Sequence, residues 1–178
     1  MTAHLFVDES KEGTYLLVVA SVVPEELAAL RKEMRGHLRP GQRSVHFSKE
    51  ANGSKTAFLR AIEASSITAV VYRAPIRRDE MAAREACLRA VARAARHSGA
   101  RMIVIDRDDS VIVHDRRWLF QELGGDESSA EVRYEHRHRH EDPLLWVPDA
   151  VAWCWHRGGI WPGRLQGTVS DVIDVDPR

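Results

Sequence analysis

Two apolar runs open the chain, divided by a short polar break. Residues 3–8 read as one strand and residues 14–23, Thr14-Tyr15-Leu16-Leu17-Val18-Val19-Ala20-Ser21-Val22-Val23, as a second. Lys11-Glu12-Gly13 between them suits a hairpin loop. The second run is apolar almost throughout, which marks a strand buried on both faces. Pro24 suits the first turn of a helix, and Leu27, Leu30, Met34 and Leu38 recur at helical spacing until Pro40-Gly41. Residues 44–47 form a short extended or loop segment. Ser54 to Ala64 reads as a helix with Phe58 and Ile62 on one face, and residues 67–73 as a β-branched strand. Asp79 to His97 reads as an amphipathic helix with Met81, Leu88, Val91 and Ala95 on one side, stopped by Gly99. Residues 101–106 make another buried strand, 118–123 a short helix, 124–129 a loop and 130–135 a last strand. Leu144 to His156 has helical character, and Pro148 requires the helix to start near Val147 or to kink there. Beyond Gly158-Gly159 the tail reads as irregular.

A leading hairpin followed by alternating helices and strands predicts an α/β sandwich with a mixed sheet. The 178 residues fit one domain with a real core, spanning 1–178. A hydrophobic fraction of 44% argues against wholesale disorder. The 26 basic and 26 acidic residues cancel, so no global charge draws the chain to nucleic acid or an anionic membrane. The arginines nevertheless cluster: Arg73, Arg77 and Arg78, then Arg84, Arg89, Arg93 and Arg96, then Arg133, Arg137 and Arg139. No secretory signal pattern opens the chain, and no apolar run approaches the roughly 20 residues that span a bilayer. A cytoplasmic protein with no membrane association is the expectation. Cys87 and Cys154 both fall in apolar helical patterns and read as buried, reduced thiols.

Three aspartates stand against apolar runs. Asp8 ends the first, Asp106 ends Met102-Ile103-Val104-Ile105, and Asp149 interrupts the segment from Leu144 to Trp153. A carboxylate in such a place is costly unless compensated. Three from distant parts of one chain suggest a shared compensator, and Mg2+ or Mn2+ is the obvious one, because hard cations want oxygen ligands. Sheets of this class place sites at strand ends, where Asp8 and Asp106 would lie, and a helix crossing that edge would deliver Asp149. Glu9 and Glu50 are candidate further ligands. Local explanations exist for each acid alone: a hairpin turn for Asp8, a polar turn for Asp106, and the helix dipole for Asp149. Their joint occurrence favours a metal site.

The opening Leu5-Phe6-Val7-Asp8-Glu9-Ser10, the histidine of Val45-His46-Phe47 after the first helix, and the late segment Leu144-Leu145-Trp146-Val147-Pro148-Asp149-Ala150-Val151-Ala152-Trp153-Cys154-Trp155 resemble the domain-of-unknown-function family 3800. The resemblance covers most of the chain and lies in the order and spacing of short motifs. Proteins of that family commonly open with a strand ending in Asp-Glu-Ser and close with a helix into which residues 145–152 fit. The resemblance implies an RNase H-like α/β fold: a mixed sheet with an antiparallel leading hairpin and helices on both faces. It also implies a nuclease-type arrangement of acids, with Asp8 as first-strand ligand, Asp149 as last-helix ligand and Asp106 as strand-end ligand. His46 matches the family's recurring histidine and would orient substrate or a water. Pro148 departs from the family's usual small residue, and the strand at 67–73 carries no acid where RNase H-like enzymes often have one.

Two further features stand apart. In an extended chain His136, His138 and His140 share one face and Arg137 and Arg139 the other. The imidazoles read as a Zn2+ site, or as an exposed polar edge, or with His138 or His140 beside the carboxylates as proton shuttle and substrate contact. Arg84, Arg89, Arg93 and Arg96 read as a solvated helix face, while Arg107, next to Asp106, is placed to meet a substrate phosphate. Trp146, Trp153, Trp155 and Trp161 suit core packing or a homo-oligomer contact. There is no Gly-rich phosphate loop, no Gly-x-Ser-x-Gly elbow and no Cys-His pair. The expected function is metal-dependent hydrolysis of phosphodiesters in DNA or RNA by Asp8, Asp106 and Asp149, with His46 assisting. The alternative is a non-catalytic RNase H-like module binding nucleic acid or a protein partner in a defence or toxin system.

Overall fold

Period-two alternation in the opening strands sets the architecture. The computed structural model describes residues 3–77, 79–127 and 129–177. Strand β1 (His4–Glu12) turns through Gly13, which takes φ +80° where only glycine is at ease, into antiparallel β2 (Thr14–Val22). Phe6 lies opposite Ala20 and Asp8 opposite Val18. Leu5, Val7, Leu17 and Val19 therefore face one side of the sheet, and Phe6, Leu16, Val18 and Ala20 the other.

Both faces are covered. After β2 come a 3-10 turn (Pro24–Glu26), α1 (Leu27–Arg35), a second 3-10 turn (Phe47–Lys49) and α2 (Asn52–Glu63). Then follow β3 (Thr68–Pro75), α3 (Glu80–Ser98), β4 (Met102–Asp106), α4 (Ile112–Leu123) and β5 (Arg133–Arg137). A 3-10 turn at Pro143–Leu145 leads into α5 (Trp146–Arg157), and β6 (Val169–Asp174) closes the sheet. The strand order is β5-β4-β1-β2-β3-β6, with β1-β2 and β2-β3 antiparallel and the other pairs parallel. Helices α1, α2 and α5 pack on the Phe6 side, burying Leu30, Met34, Phe58, Ile62 and Trp146. Helices α3 and α4 cover the Val7 side with Leu88, Val91, Trp118 and Leu119. A fully buried side chain of this kind stabilises by about 1.5–3 kcal/mol, so these two layers carry the fold. Asp79 caps α3, its carboxylate accepting from the Met81 N–H at 2.8 Å, and Gly99 ends it at φ +67°. No helix among the described residues is long and apolar enough to cross a membrane.

Four sequence expectations need adjustment. Helix α4 starts at Ile112, six residues before Trp118, because Asp115 in its first turn is buried against α3 rather than left in a loop. The last of the predicted strands runs from Arg133, not 130. The tail is not wholly irregular: Val169–Asp174 pairs with β3 as an exposed edge strand, its polar residues guarding the edge. β1 runs on to Glu12 rather than ending at Asp8, which leaves Gly13 as the turn. As expected from Pro148, α5 starts beside Val147, at Trp146, and that proline imposes no kink. It is the third helical residue, where a backbone N–H has no intrahelical acceptor to lose. Arg78 and Ser128, named above in an arginine cluster and a loop, lie outside the described residues.

Candidate active site

Parallel pairing puts Val7 beside Ile105, so Asp106, the last residue of β4, lies beside Asp8, midway along β1. Both follow the parity of Phe6 and Val104 and face α5. Helix α5 packs against β1 and β2 and presents Asp149 from its first turn. The turn at Phe47–Lys49 lies against the same helix, and the Phe47 N–H donates to Asp149 Oδ2 at 2.9 Å. The Glu9 N–H donates to Asp8 Oδ1 at 2.8 Å. Three carboxylates more than forty positions apart in sequence thus meet at one strand-end edge.

A fourth residue joins them. Arg139 Nη2 lies 2.7 Å from Asp106 Oδ2 and 3.2 Å from Asp8 Oδ2, and Nη1 lies 3.4 Å from Asp149 Oδ2. Nη1 also meets His46 Nδ1 at 2.8 Å. Arginine has only donors, so this His46 nitrogen accepts. The Arg139 carbonyl is held in turn by Trp146 Nε1 at 2.7 Å. The shared compensator expected for the acids is therefore present within the chain, as a guanidinium.

One positive charge does not balance three negative ones. Burial, reinforced by the nearby Asp149 and Asp106 carboxylates, pushes Asp8 well above the usual carboxylate range despite Arg139. Asp149 goes the other way. Burial pushes it up, but the His46 ring, the Arg139 guanidinium and the Phe47 N–H together hold it below its usual value. Arg139 is itself raised: burial works against its charge, and the three aspartates outweigh that.

The cluster floors a cleft of about 620 Å³, whose walls include Lys11, His46, Ser48, Arg107 and Trp153. Trp153 is fixed edge-on against Phe47 and Trp161, with the Lys55 ammonium 4.7 Å from its ring centre. Arg107 stands at the mouth, 40% exposed, with its Nε 2.7 Å from Asp109.

Other sequence candidates are engaged with other partners. Glu9 lines the same cleft, but successive strand residues face opposite sides, and its carboxylate meets Lys11, Tyr15 and Arg84. Glu50 is turned to Gln42 and Arg39. Arg84 does not share the solvated face of Arg89, Arg93 and Arg96. It is 2% exposed and forks onto the fully buried Asp115 with bonds of 2.7 and 2.6 Å, while also donating to the Tyr15 hydroxyl. His136 joins that network through Asp115 at 3.2 Å, so the three histidines are not one zinc face. His138 stacks on His140, rings 5.4 Å apart, rather than approaching the carboxylates. Arg89, Arg93 and Arg96 pair with Glu85, Glu122 and Glu131 as solvated charges do.

The donor chemistry fits a hard divalent cation: three carboxylates, converging and short of positive charge. Their present spacing fits Arg139, and among the described residues no trio of His, Cys, Asp or Glu is set to grip an ion as it stands.

The chain matches no protein-family model and no curated protein sequence. Among solved structures it is similar to the PCNA:RNase HII complex from Archaeoglobus fulgidus, with a TM-score of 0.56 over 87% of this chain and 73% of that chain. The fold is RNase H-like. Sequence identity is 13%, so the likeness extends to the fold alone. The sequence shows Arg139 only as one of a cluster of arginines opposite the histidines; the signal for its role is that a cluster of acids calls for any cation, whether metal or arginine.

Proposed function

We propose that the chain is a metal-dependent nuclease of the kind its resemblance to the domain-of-unknown-function family 3800 implies, hydrolysing phosphodiester bonds in DNA or RNA. The observation that carries this reading is the convergence of Asp8, Asp106 and Asp149 at the strand-end edge of an RNase H-like sheet. These three would hold Mg2+ or Mn2+. When bound, such an ion activates a water and stabilises charge on the leaving oxygen.

The chain's own groups do the rest. The Phe47 and Glu9 N–H groups hold Asp149 and Asp8 in register. His46, at the rim, accepts a proton or steadies a water. Arg107 and Lys11 at the cleft mouth would contact phosphate, exchanging their present partners, Asp109 for Arg107 and Glu9 and Glu80 for Lys11. Nucleic acid is thus the proposed partner, without membrane, and the cytoplasm the proposed location. Self-association would run through the Trp-rich C-terminal region.

The test is Mn2+-dependent cleavage of a mixed DNA and RNA panel. Wild type should cleave and Asp8→Asn should not. A second reading, a non-catalytic module binding nucleic acid or a protein partner, is favoured by one observation: Arg139 fills the space between the acids. Binding that survives Asp8→Asn, with no cleavage by wild type, would establish it instead.

A further inference from the structure

We infer that Arg139 is a tethered cation that competes with the divalent ion for Asp8, Asp106 and Asp149, so that the ion enters only as the guanidinium leaves. The inference rests on the metal-dependent reading above. The guanidinium contacts Oδ2 of every acid of the cluster, and so occupies the space that an ion shared by all three would take.

The surroundings let it leave without collapsing the site. Its backbone is fixed independently, because Trp146 Nε1 holds the Arg139 carbonyl at 2.7 Å in the turn between β5 and α5. The side chain is 27% exposed on the cleft side, so rotation takes it into solvent rather than through packed core. Asp8 keeps the Glu9 N–H and Asp149 keeps the Phe47 N–H when the guanidinium withdraws. Two of the three acids therefore hold their positions without it. A displaced guanidinium also has a destination: its planar fork suits phosphate, and it would emerge into the cleft that Lys11 and Arg107 border. A phosphodiester arriving there gives Arg139 a new partner and frees the acids, so ion loading and substrate arrival favour each other. Without substrate, the acids stay capped and the ion is held weakly.

Calorimetric titration of Mn2+ into the full chain, with no nucleic acid present, tests this on wild type, Arg139→Gln and Arg139→Lys. Arg139→Gln should bind Mn2+ about tenfold or more tightly than wild type, the scale of a typical coupling between two sites. Arg139→Lys, which keeps a cation, should bind less tightly than Arg139→Gln. Should Arg139→Gln fail to fold, a Mg2+ titration of 15N-arginine-labelled wild type decides. The Arg139 Nε–H resonance, assigned by its loss in Arg139→Lys, should move in step with ion saturation. An unmoved resonance at saturation, or Arg139→Gln binding no tighter than wild type, overturns the competitor role. If wild type still cleaves with Mn2+ in that event, the nuclease reading stands alone. If neither protein binds Mn2+, both fall.

Discussion

Removing the Arg84 guanidinium should unfold the protein far more readily than removing any other arginine of α3. Arg84 is 2% exposed, and its fork meets Asp115, which is fully buried, while a third contact reaches Glu9. Arg84→Met keeps the length and apolar bulk of the side chain and deletes only charge and donors. Asp115 is then left in the core with His136 as its remaining partner, while Glu9 keeps Lys11 and the Tyr15 hydroxyl. Stranding one member of a buried pair costs about 3–5 kcal/mol. His136 offsets part of that, which sets the expectation near 3 kcal/mol. For a domain of this size it corresponds to a fall in Tm of about 6–12 °C. Urea unfolding followed by tryptophan fluorescence and far-UV circular dichroism measures it. The double variant Arg84→Met, Asp115→Leu should recover much of the loss, since a well-packed apolar pair often equals the ion pair it replaces. A single-variant loss below about 1 kcal/mol, the scale of an exposed ion pair, would refute the reasoning.

Two more outcomes follow from buried groups. Burial pushes both Cys87 and Cys154 up to about 12, so neither thiol should react with a disulfide reagent at neutral pH until the protein unfolds; fast stoichiometric labelling of native protein would contradict their placement. Asp115 runs the other way with acid. Burial raises it, but Arg84 and His136 outweigh burial and hold it below the ordinary 3.8, so its contribution to stability is present above that value and is lost as the pH falls through the depressed one. Acid unfolding curves of wild type and Asp115→Asn should therefore converge at the lowest pH, and parallel curves across the acid range would count against this.

Much of the fold was legible because local pattern and tertiary role agree. β2 and β4 are nearly continuous apolar runs, β3 is largely apolar and β1 opens on Leu5-Phe6-Val7, and a buried strand needs little else. Asp8, Asp106 and Asp149 were visible as polar interruptions of those runs, and the sheet brings all three together. β6 was invisible because an exposed edge strand has no apolar period to display. The pairing of Arg139 with the acids was not legible locally, because its partner Asp8 is 131 positions away, beyond any local periodicity. Other misplacements were avoidable. Glu9 cannot share Asp8's side of a strand, since neighbours alternate. Arg84 stands in the row Arg84, Leu88, Val91, Ala95, which is the apolar stripe of α3 itself, and a charge on that stripe announces a buried partner. Asp115, one turn before Leu119, is the matching anomaly on α4.

In the proposed nuclease Asp8, Asp106 and Asp149 jointly hold a divalent cation. Anomalous diffraction from crystals of the full chain soaked in Mn2+ is the decisive experiment. A manganese peak ligated by all three aspartates is expected, with the Arg139 guanidinium turned away into the cleft. A map with no anomalous peak at saturating Mn2+, and Arg139 still spanning the three carboxylates, would contradict it.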